Sequence, residues 1–182
     1  QIFNVPNKLS AARLVVAIGV FICTSLQWYV AALVLFLIAA GTDWIDGWYA
    51  RKFDQVTKLG RILDPFCDKI LVCGTFVMLA VEMHAGFPWY QRVTGLVAVV
   101  VLGRELLVTV LRSIIEGGGG DFSANMAGKL KMWFQCIAIV ACYLALILGD
   151  AQAALTPAWL RIVVGLSVWA AVASTLQSGW IY

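Results

Sequence analysis

Six long apolar runs dominate this chain and restrict the folds open to it. With their flanks they reach or approach the roughly 20 apolar residues that a helix needs to cross a bilayer. They lack the alternation of membrane β-strands, and backbone polar groups in lipid must be hydrogen-bonded within the protein. The sequence therefore predicts an all-α integral membrane protein whose six transmembrane helices form a single bundle. The runs lie at 14–26, 30–40, 70–81, 93–103, 136–148 and 162–176.

The composition fits a membrane protein better than a soluble one. Of the 182 residues, 62% are hydrophobic and 13% are charged, whereas a soluble domain carries ~25% charged residues. The length predicts one domain over residues 1–182. The five cysteines form no CxxC pair, so we expect neither a disulfide nor a zinc site. We expect membrane lipids, and no nucleic acid, among the partners.

The distribution of charge predicts how the helices are oriented. We predict helices at 9–25, 28–51, 61–82, 89–115, 126–148 and 158–178. If the 43–68 stretch faces the cytoplasm, eleven of the 13 lysines and arginines lie at cytoplasmic ends, and only Arg92 and Arg161 lie on the other side. This positive-inside bias, with Trp28, Trp89 and Trp159 at the outer turns, predicts a site at the cytoplasmic mouth of the bundle. We expect a bacterial-type inner membrane.

Four aspartates interrupt this apolar pattern in "DWIDGWYARKFDQVTKLGRILDPFCD", residues 43–68. Asp43 and Asp46 are three residues apart, and Asp64 and Asp68 are four apart, so each pair shares one helix face. The polar connection between the predicted helices lets the two faces meet across an antiparallel pair. Four carboxylates would then converge in one small volume.

Such a group of carboxylates has more than one interpretation. Arg51, Lys52, Arg61 and Lys69 are near enough in sequence to neutralise it in a structural network, although burying ion pairs rarely stabilises a fold. Hard oxygen ligands that leave room for phosphate oxygens favour a site for two divalent ions, Mg²⁺ or Mn²⁺. An ion transporter or a membrane prenyltransferase would also use intramembrane aspartates, and both stay open as alternatives.

The spacing of the polar residues is more specific than their charge. The stretch reads Asp43-x2-Asp46-Gly47-x2-Ala50-Arg51-x8-Gly60-x3-Asp64-x3-Asp68. At every defined position it resembles the signature of the CDP-alcohol phosphatidyltransferase family. The resemblance implies a six-helix membrane fold, a homodimer, and transfer of a phosphatidyl or related group from a CDP-linked lipid to an alcohol, with release of CMP.

The resemblance also implies roles for individual residues. Two divalent metals, Mg²⁺ or Mn²⁺, would be bound by Asp43, Asp46, Asp64 and Asp68. Asp68 would also be the general base, or only a metal ligand. The CDP moiety would be held by Asp46, Gly47, Ala50, Arg51 and Gly60.

The acceptor must be inferred from residues outside that signature. Arg104, Arg112, Lys129 and Lys131 lie near the cytoplasmic ends of the fourth and fifth predicted helices. They are either ordinary flanking charges or a site for the phosphate of the acceptor. Glu105 is the one anion among them, and we expect it to orient Arg104 or Arg112.

The stretches 103–113 and 127–135, with the opening 4–14, are similar to the branch of the family that uses sn-glycerol 3-phosphate. This similarity implies that CDP-diacylglycerol and glycerol 3-phosphate are the substrates. Inositol phosphate, serine and phosphatidylglycerol stay open as alternative acceptors.

Overall fold

The computed structural model describes residues 5–53, 60–83, 87–117, 126–149 and 156–180, with side chains at 12–42, 66–67, 69–83, 87–111, 131–149 and 156–177. Within these residues the fold is all-helical, with six α-helices and no strand. The predicted number of helices is confirmed, and most of the predicted ends lie within a few residues of the observed ones. The helices are α1 Val5–Ser25, α2 Tyr29–Phe53, α3 Gly60–Glu82, α4 Gly95–Gly117, α5 Met126–Leu148 and α6 Ala158–Trp180.

The start of the fourth helix was predicted wrongly. The predicted helix begins at residue 89, whereas α4 begins at Gly95 and a separate 3₁₀ helix occupies Trp89–Gln91. The two helices are separate because the extended backbone of Arg92 (φ −144°, ψ 164°) ends the 3₁₀ helix. The Thr94 hydroxyl then accepts a hydrogen bond from the Val97 N–H at 3.2 Å, which caps the new helix.

Two of the helices are long and apolar enough to cross a membrane, judged by length and composition within the described residues. They comprise Lys131–Leu148 of α5 and Ala158–Gln177 of α6. Shorter apolar stretches occur at Ala12–Ser25 in α1 and Tyr29–Thr42 in α2. The predicted crossing of the bilayer by all six helices therefore stays a prediction.

The chain divides into two compact units, Gln1–Met78 and Leu79–Tyr182. In the first, α1 ends in a Schellman motif, in which Gln27 is left-handed (φ 61°) and Trp28 N–H donates to the Cys23 carbonyl at 2.8 Å. This turn directs α2 back against α1. α1 and α2 are in contact, and small side chains on both, such as Ala17, Ala32 and Ala39, are buried, which favours close packing.

In the second unit, α6 packs against α5, α4 and the 3₁₀ helix. The indole N–H of Trp169 donates to the Tyr90 carbonyl at 3.2 Å. Gly165 permits this approach, because a Cβ atom at that position would lie 3.0 Å from the same carbonyl oxygen. The core of this unit includes the fully buried Tyr143 and Ile139.

Many large apolar side chains lie on the outer surface of these helices. Val15 is 68% exposed, Leu96 74% and Leu166 68%. Surfaces of this kind are typical of faces that contact lipid or another protein. The exposed Trp28, Trp89 and Trp159 lie at or near helix starts, as interfacial aromatic residues do.

The end of α5 generates a prediction about stability. A Cβ atom at Gly149 would overlap the Thr156 hydroxyl and lie 2.6 Å from the Ala145 carbonyl oxygen. We expect Gly149→Ala to destabilise the detergent-solubilised protein by roughly 1–3 kcal/mol, as overpacking does. Gly95→Ala is the matched control, since nothing lies within 4 Å of a Cβ atom there. Equal melting temperatures for the two variants would contradict the packing described for this turn.

Candidate functional site: the aspartate signature and a buried charge cluster

The four predicted metal ligands lie on two helices of the first unit. Asp43 and Asp46 belong to the C-terminal part of α2, and Asp64 and Asp68 to the N-terminal part of α3. Both pairs therefore have the helical spacing that the sequence predicts. Their side chains lie outside the described residues, so their convergence on two metals stays a prediction. Among the side chains that the structure describes, no group of three potential metal ligands occurs.

The predicted nucleotide-binding residues lie on the same two helices. Gly47, Ala50 and Arg51 follow Asp46 along the last turns of α2, and Gly60 is the first residue of α3. Their side chains also lie outside the described residues, and their roles stay predictions. Pro65 lies in the second turn of α3, where its missing N–H leaves the Arg61 carbonyl without its helical donor.

A cluster of charged and polar side chains is buried in the second unit. We call it the Glu105 cluster, and it consists of Arg104, Glu105, Lys131, Gln135 and Thr175. One carboxylate oxygen of Glu105, Oε1, accepts hydrogen bonds from Lys131 Nζ at 2.5 Å and Arg104 Nη1 at 3.1 Å. The side-chain amide of Gln135 lies 3.4 Å from the same oxygen. Three donors thus converge on a single acceptor atom.

The amide of Gln135 extends the cluster to the last helix. Its Nε2 atom also donates to the Thr175 hydroxyl at 3.2 Å. The cluster therefore joins α4, α5 and α6, and both residues of this link are at most 2% exposed. Lys131 and Gln135 are four residues apart, so both project from one face of α5.

Burial determines the electrostatics of the cluster. The side chains of Arg104, Glu105 and Lys131 are 7%, 8% and 12% exposed. Removing charges from water is costly unless an opposite charge compensates them, and Glu105 supplies that compensation for both cations. The three groups together carry a net charge of +1 when all are ionised.

The cluster includes only part of the predicted acceptor-phosphate site. Arg104 and Lys131 meet at one carboxylate, and the predicted Arg104–Glu105 pair is present. Arg112 and Lys129 lie on α4 and α5, but their side chains lie outside the described residues. Gln135 and Thr175 were not predicted. Gln135 could have been identified by its position, one helical turn after Lys131.

Comparison with known proteins places the chain among membrane phospholipid enzymes. The model of the family described as CDP-alcohol phosphatidyltransferase matches residues 3–177. A CDP-diacylglycerol--glycerol-3-phosphate 3-phosphatidyltransferase of Bacillus subtilis is 36% identical, over 99% of this chain and 93% of the relative. Proteins of the same name from Rickettsia felis and Escherichia coli are 31% and 34% identical, covering 98% and 75% of this chain and 93% and 75% of those relatives.

A double-mutant cycle tests whether Glu105 compensates Lys131. Glu105→Gln removes the anion that two buried cations share, and Lys131→Met leaves the carboxylate with one cation fewer. We expect the double variant to lose roughly 1–3 kcal/mol less stability than the sum of the two single losses. The measurement is unfolding of the detergent-solubilised protein.

The control cycle combines Lys131→Met with Arg161→Met. Arg161 lies near the start of α6, whereas Thr175 of the Glu105 cluster lies near the end of that helix. Those two losses should add to within about 0.5 kcal/mol. Additive losses in the Glu105 cycle as well would contradict a direct interaction between the two side chains.

Proposed function

Because this chain belongs to the CDP-alcohol phosphatidyltransferase family, we propose that it transfers the phosphatidyl group of CDP-diacylglycerol to sn-glycerol 3-phosphate. The products are phosphatidylglycerophosphate and CMP, and the reaction belongs to phospholipid biosynthesis. The observation that carries this proposal is the 36% identity, over 99% of the chain, with the Bacillus subtilis relative of that name. The prenyltransferase and transporter alternatives do not fit this family membership.

The residues outside the shared signature support the choice of acceptor. Glycerol 3-phosphate brings a phosphate group, whereas serine and phosphatidylglycerol lack a phosphate monoester. Arg104 and Lys131 place a guanidinium and an ammonium group on one buried carboxylate, and such groups suit phosphate oxygens. Arg112 and Lys129 complete the proposed acceptor-phosphate site.

The aspartates fit a pair of divalent cations by the chemistry of their donor atoms. Asp43, Asp46, Asp64 and Asp68 offer carboxylate oxygens only, and hard cations such as Mg²⁺ and Mn²⁺ prefer oxygen ligands. Pairs at three and four residues on α2 and α3 have the spacing that brings both members of a pair to one helix face. Bound ions would neutralise the charge of the diphosphate and of the departing CMP.

The chain's own residues then position two substrates and move one proton. Small residues at Gly47 and Ala50 leave room for the CDP moiety, and Arg51 pairs with its phosphate oxygens. The primary hydroxyl of glycerol 3-phosphate attacks the phosphorus that bears the diacylglycerol. A new P–O bond forms, the P–O bond to CMP breaks, and Asp68 accepts the hydroxyl proton. Phosphoryl transfer requires mainly such positioning and charge neutralisation.

We place this reaction at the cytoplasmic face of a bacterial inner membrane, in a homodimer. The apolar helices and the exposed Trp28, Trp89 and Trp159 support insertion in a bilayer. The orientation follows from the positive-inside bias, since only Arg92 and Arg161 lie on the opposite side in the six-span topology.

The acceptor is tested by CMP release from the purified protein with CDP-diacylglycerol and Mg²⁺ or Mn²⁺. We expect rapid release with sn-glycerol 3-phosphate and at least about tenfold slower release with the other acceptors, because serine and phosphatidylglycerol lack a phosphate monoester and inositol phosphate is larger. Faster release with another acceptor would overturn the proposed acceptor while keeping the family reaction.

The base is tested by Asp68→Asn, which keeps the size of the side chain and removes its proton-accepting charge. We expect turnover to fall by at least about 100-fold, within the range that general-base catalysis contributes, while the melting temperature changes little. Asp150→Asn is the matched control. In the predicted topology Asp150 lies on the opposite side of the membrane from Asp68, so this substitution should leave turnover unchanged. Normal turnover of Asp68→Asn would exclude both proposed roles of this residue.

A further inference from the structure

The contact between Glu105 and Arg104 is not one that helix geometry by itself produces. Arg104 is its neighbour in sequence, and adjacent residues of a helix do not face each other. The Arg104 guanidinium nevertheless reaches Glu105 Oε1 at 3.1 Å, on the same oxygen that accepts from Lys131. The carboxylate therefore contacts two cations at once, Arg104 from α4 and Lys131 from α5.

The carboxylate is itself held in place from a third helix. The amide of Gln135 lies 3.4 Å from Glu105 Oε1 and donates to Thr175 of α6 at 3.2 Å. The backbone carbonyl of Glu105 also accepts a hydrogen bond from the Thr109 hydroxyl at 2.6 Å. Buried polar networks with several partners fix a unique arrangement of their members. Replacing a whole buried ion pair by apolar groups is often neutral for stability, so stability alone does not account for the presence of these charges.

We infer that Glu105 is the positioning residue of the acceptor-phosphate site: by sharing one oxygen between Arg104 and Lys131, it fixes the two cations at the spacing that an acceptor phosphate bridges. This inference rests on the proposed function. Glu105 does not touch the substrate, since carboxylate and phosphate repel each other. It acts through the cations, so that the phosphate binds in one orientation and the direction of the acceptor hydroxyl is fixed.

The test must separate position from charge. Glu105→Gln keeps the shape of the side chain and removes one negative charge, which strengthens the attraction of any phosphate anion to the site. Inorganic phosphate, used as an inhibitor, reports that attraction without requiring an oriented hydroxyl. Comparing kcat/KM for glycerol 3-phosphate with the Ki of inorganic phosphate therefore isolates the positioning effect.

We expect kcat/KM for glycerol 3-phosphate to fall roughly 10- to 100-fold in Glu105→Gln, because small displacements of a bound substrate have effects of this size. Inhibition by inorganic phosphate should become no weaker, and KM for CDP-diacylglycerol should stay unchanged. Glu105→Asp keeps the charge and shortens the side chain, and it should recover kcat/KM only in part. Equal losses in kcat/KM for glycerol 3-phosphate and in the affinity for inorganic phosphate, or no change in either, would overturn the inference.

A second variant leaves all charges intact and tests the link to α6. Thr175→Val removes the hydroxyl that holds Gln135 and is close to isosteric, so it remains informative if Glu105→Gln does not fold. We expect kcat/KM for glycerol 3-phosphate to fall by about threefold or more, in line with the loss of one hydrogen bond. Ser174→Ala is the matched control, since that hydroxyl donates only to the Ala171 carbonyl among the described contacts, at 3.0 Å. The same effect in both variants would overturn the inference.

Failure of the inference and failure of the proposed function are distinguishable. If the unsubstituted protein does not use glycerol 3-phosphate, the proposed function fails and the inference with it. If the unsubstituted protein uses glycerol 3-phosphate but neither Glu105→Gln nor Thr175→Val alters its kcat/KM selectively, only the inference fails. Thermal stabilisation by added CDP, measured for each variant, verifies that the protein is folded.

Discussion

The sharing of one buried carboxylate by two cations is the polar interaction that links α4 to α5 in the second unit. Glu105 compensates Arg104 and Lys131 at once, and all three side chains are at most 12% exposed. In an apolar chain, an uncompensated charge at such a depth would be expelled or neutralised. The cluster joins α4 to α5, and through Gln135 and Thr175 it extends to α6.

The two polar regions of the chain carry opposite excesses of charge. The aspartate signature on α2 and α3 supplies four carboxylates, whereas the Glu105 cluster has one more cation than anions. The proposed reaction uses two kinds of phosphate that match this difference. A diphosphate bound through divalent cations requires carboxylates, and a phosphate monoester bound directly by the protein requires arginine and lysine. The proposed function thus assigns a complementary set of side chains to each substrate.

Much of the architecture could be predicted from the sequence, because the length of each apolar run determines a helix locally. The six helices and the family membership are confirmed, and the helical spacing of Asp43, Asp46, Asp64 and Asp68 agrees with the structure. The 3₁₀ helix at Trp89–Gln91 was missed, because the extended backbone of Arg92 leaves no mark in the apolar pattern. Gln135 and Thr175 were missed because they meet across 40 residues of sequence, and such contacts depend on which helix faces pack together.

The most direct measurement is a structure of the purified protein with sn-glycerol 3-phosphate bound, in lipid nanodiscs or crystals. The central claim is that Arg104 and Lys131, held together by Glu105, bind the phosphate of the acceptor. It predicts phosphate oxygens about 2.7–3.0 Å from the Arg104 guanidinium and from Lys131 Nζ, as in charge-assisted hydrogen bonds. Glycerol 3-phosphate bound elsewhere, with neither cation in contact with its phosphate, would contradict it.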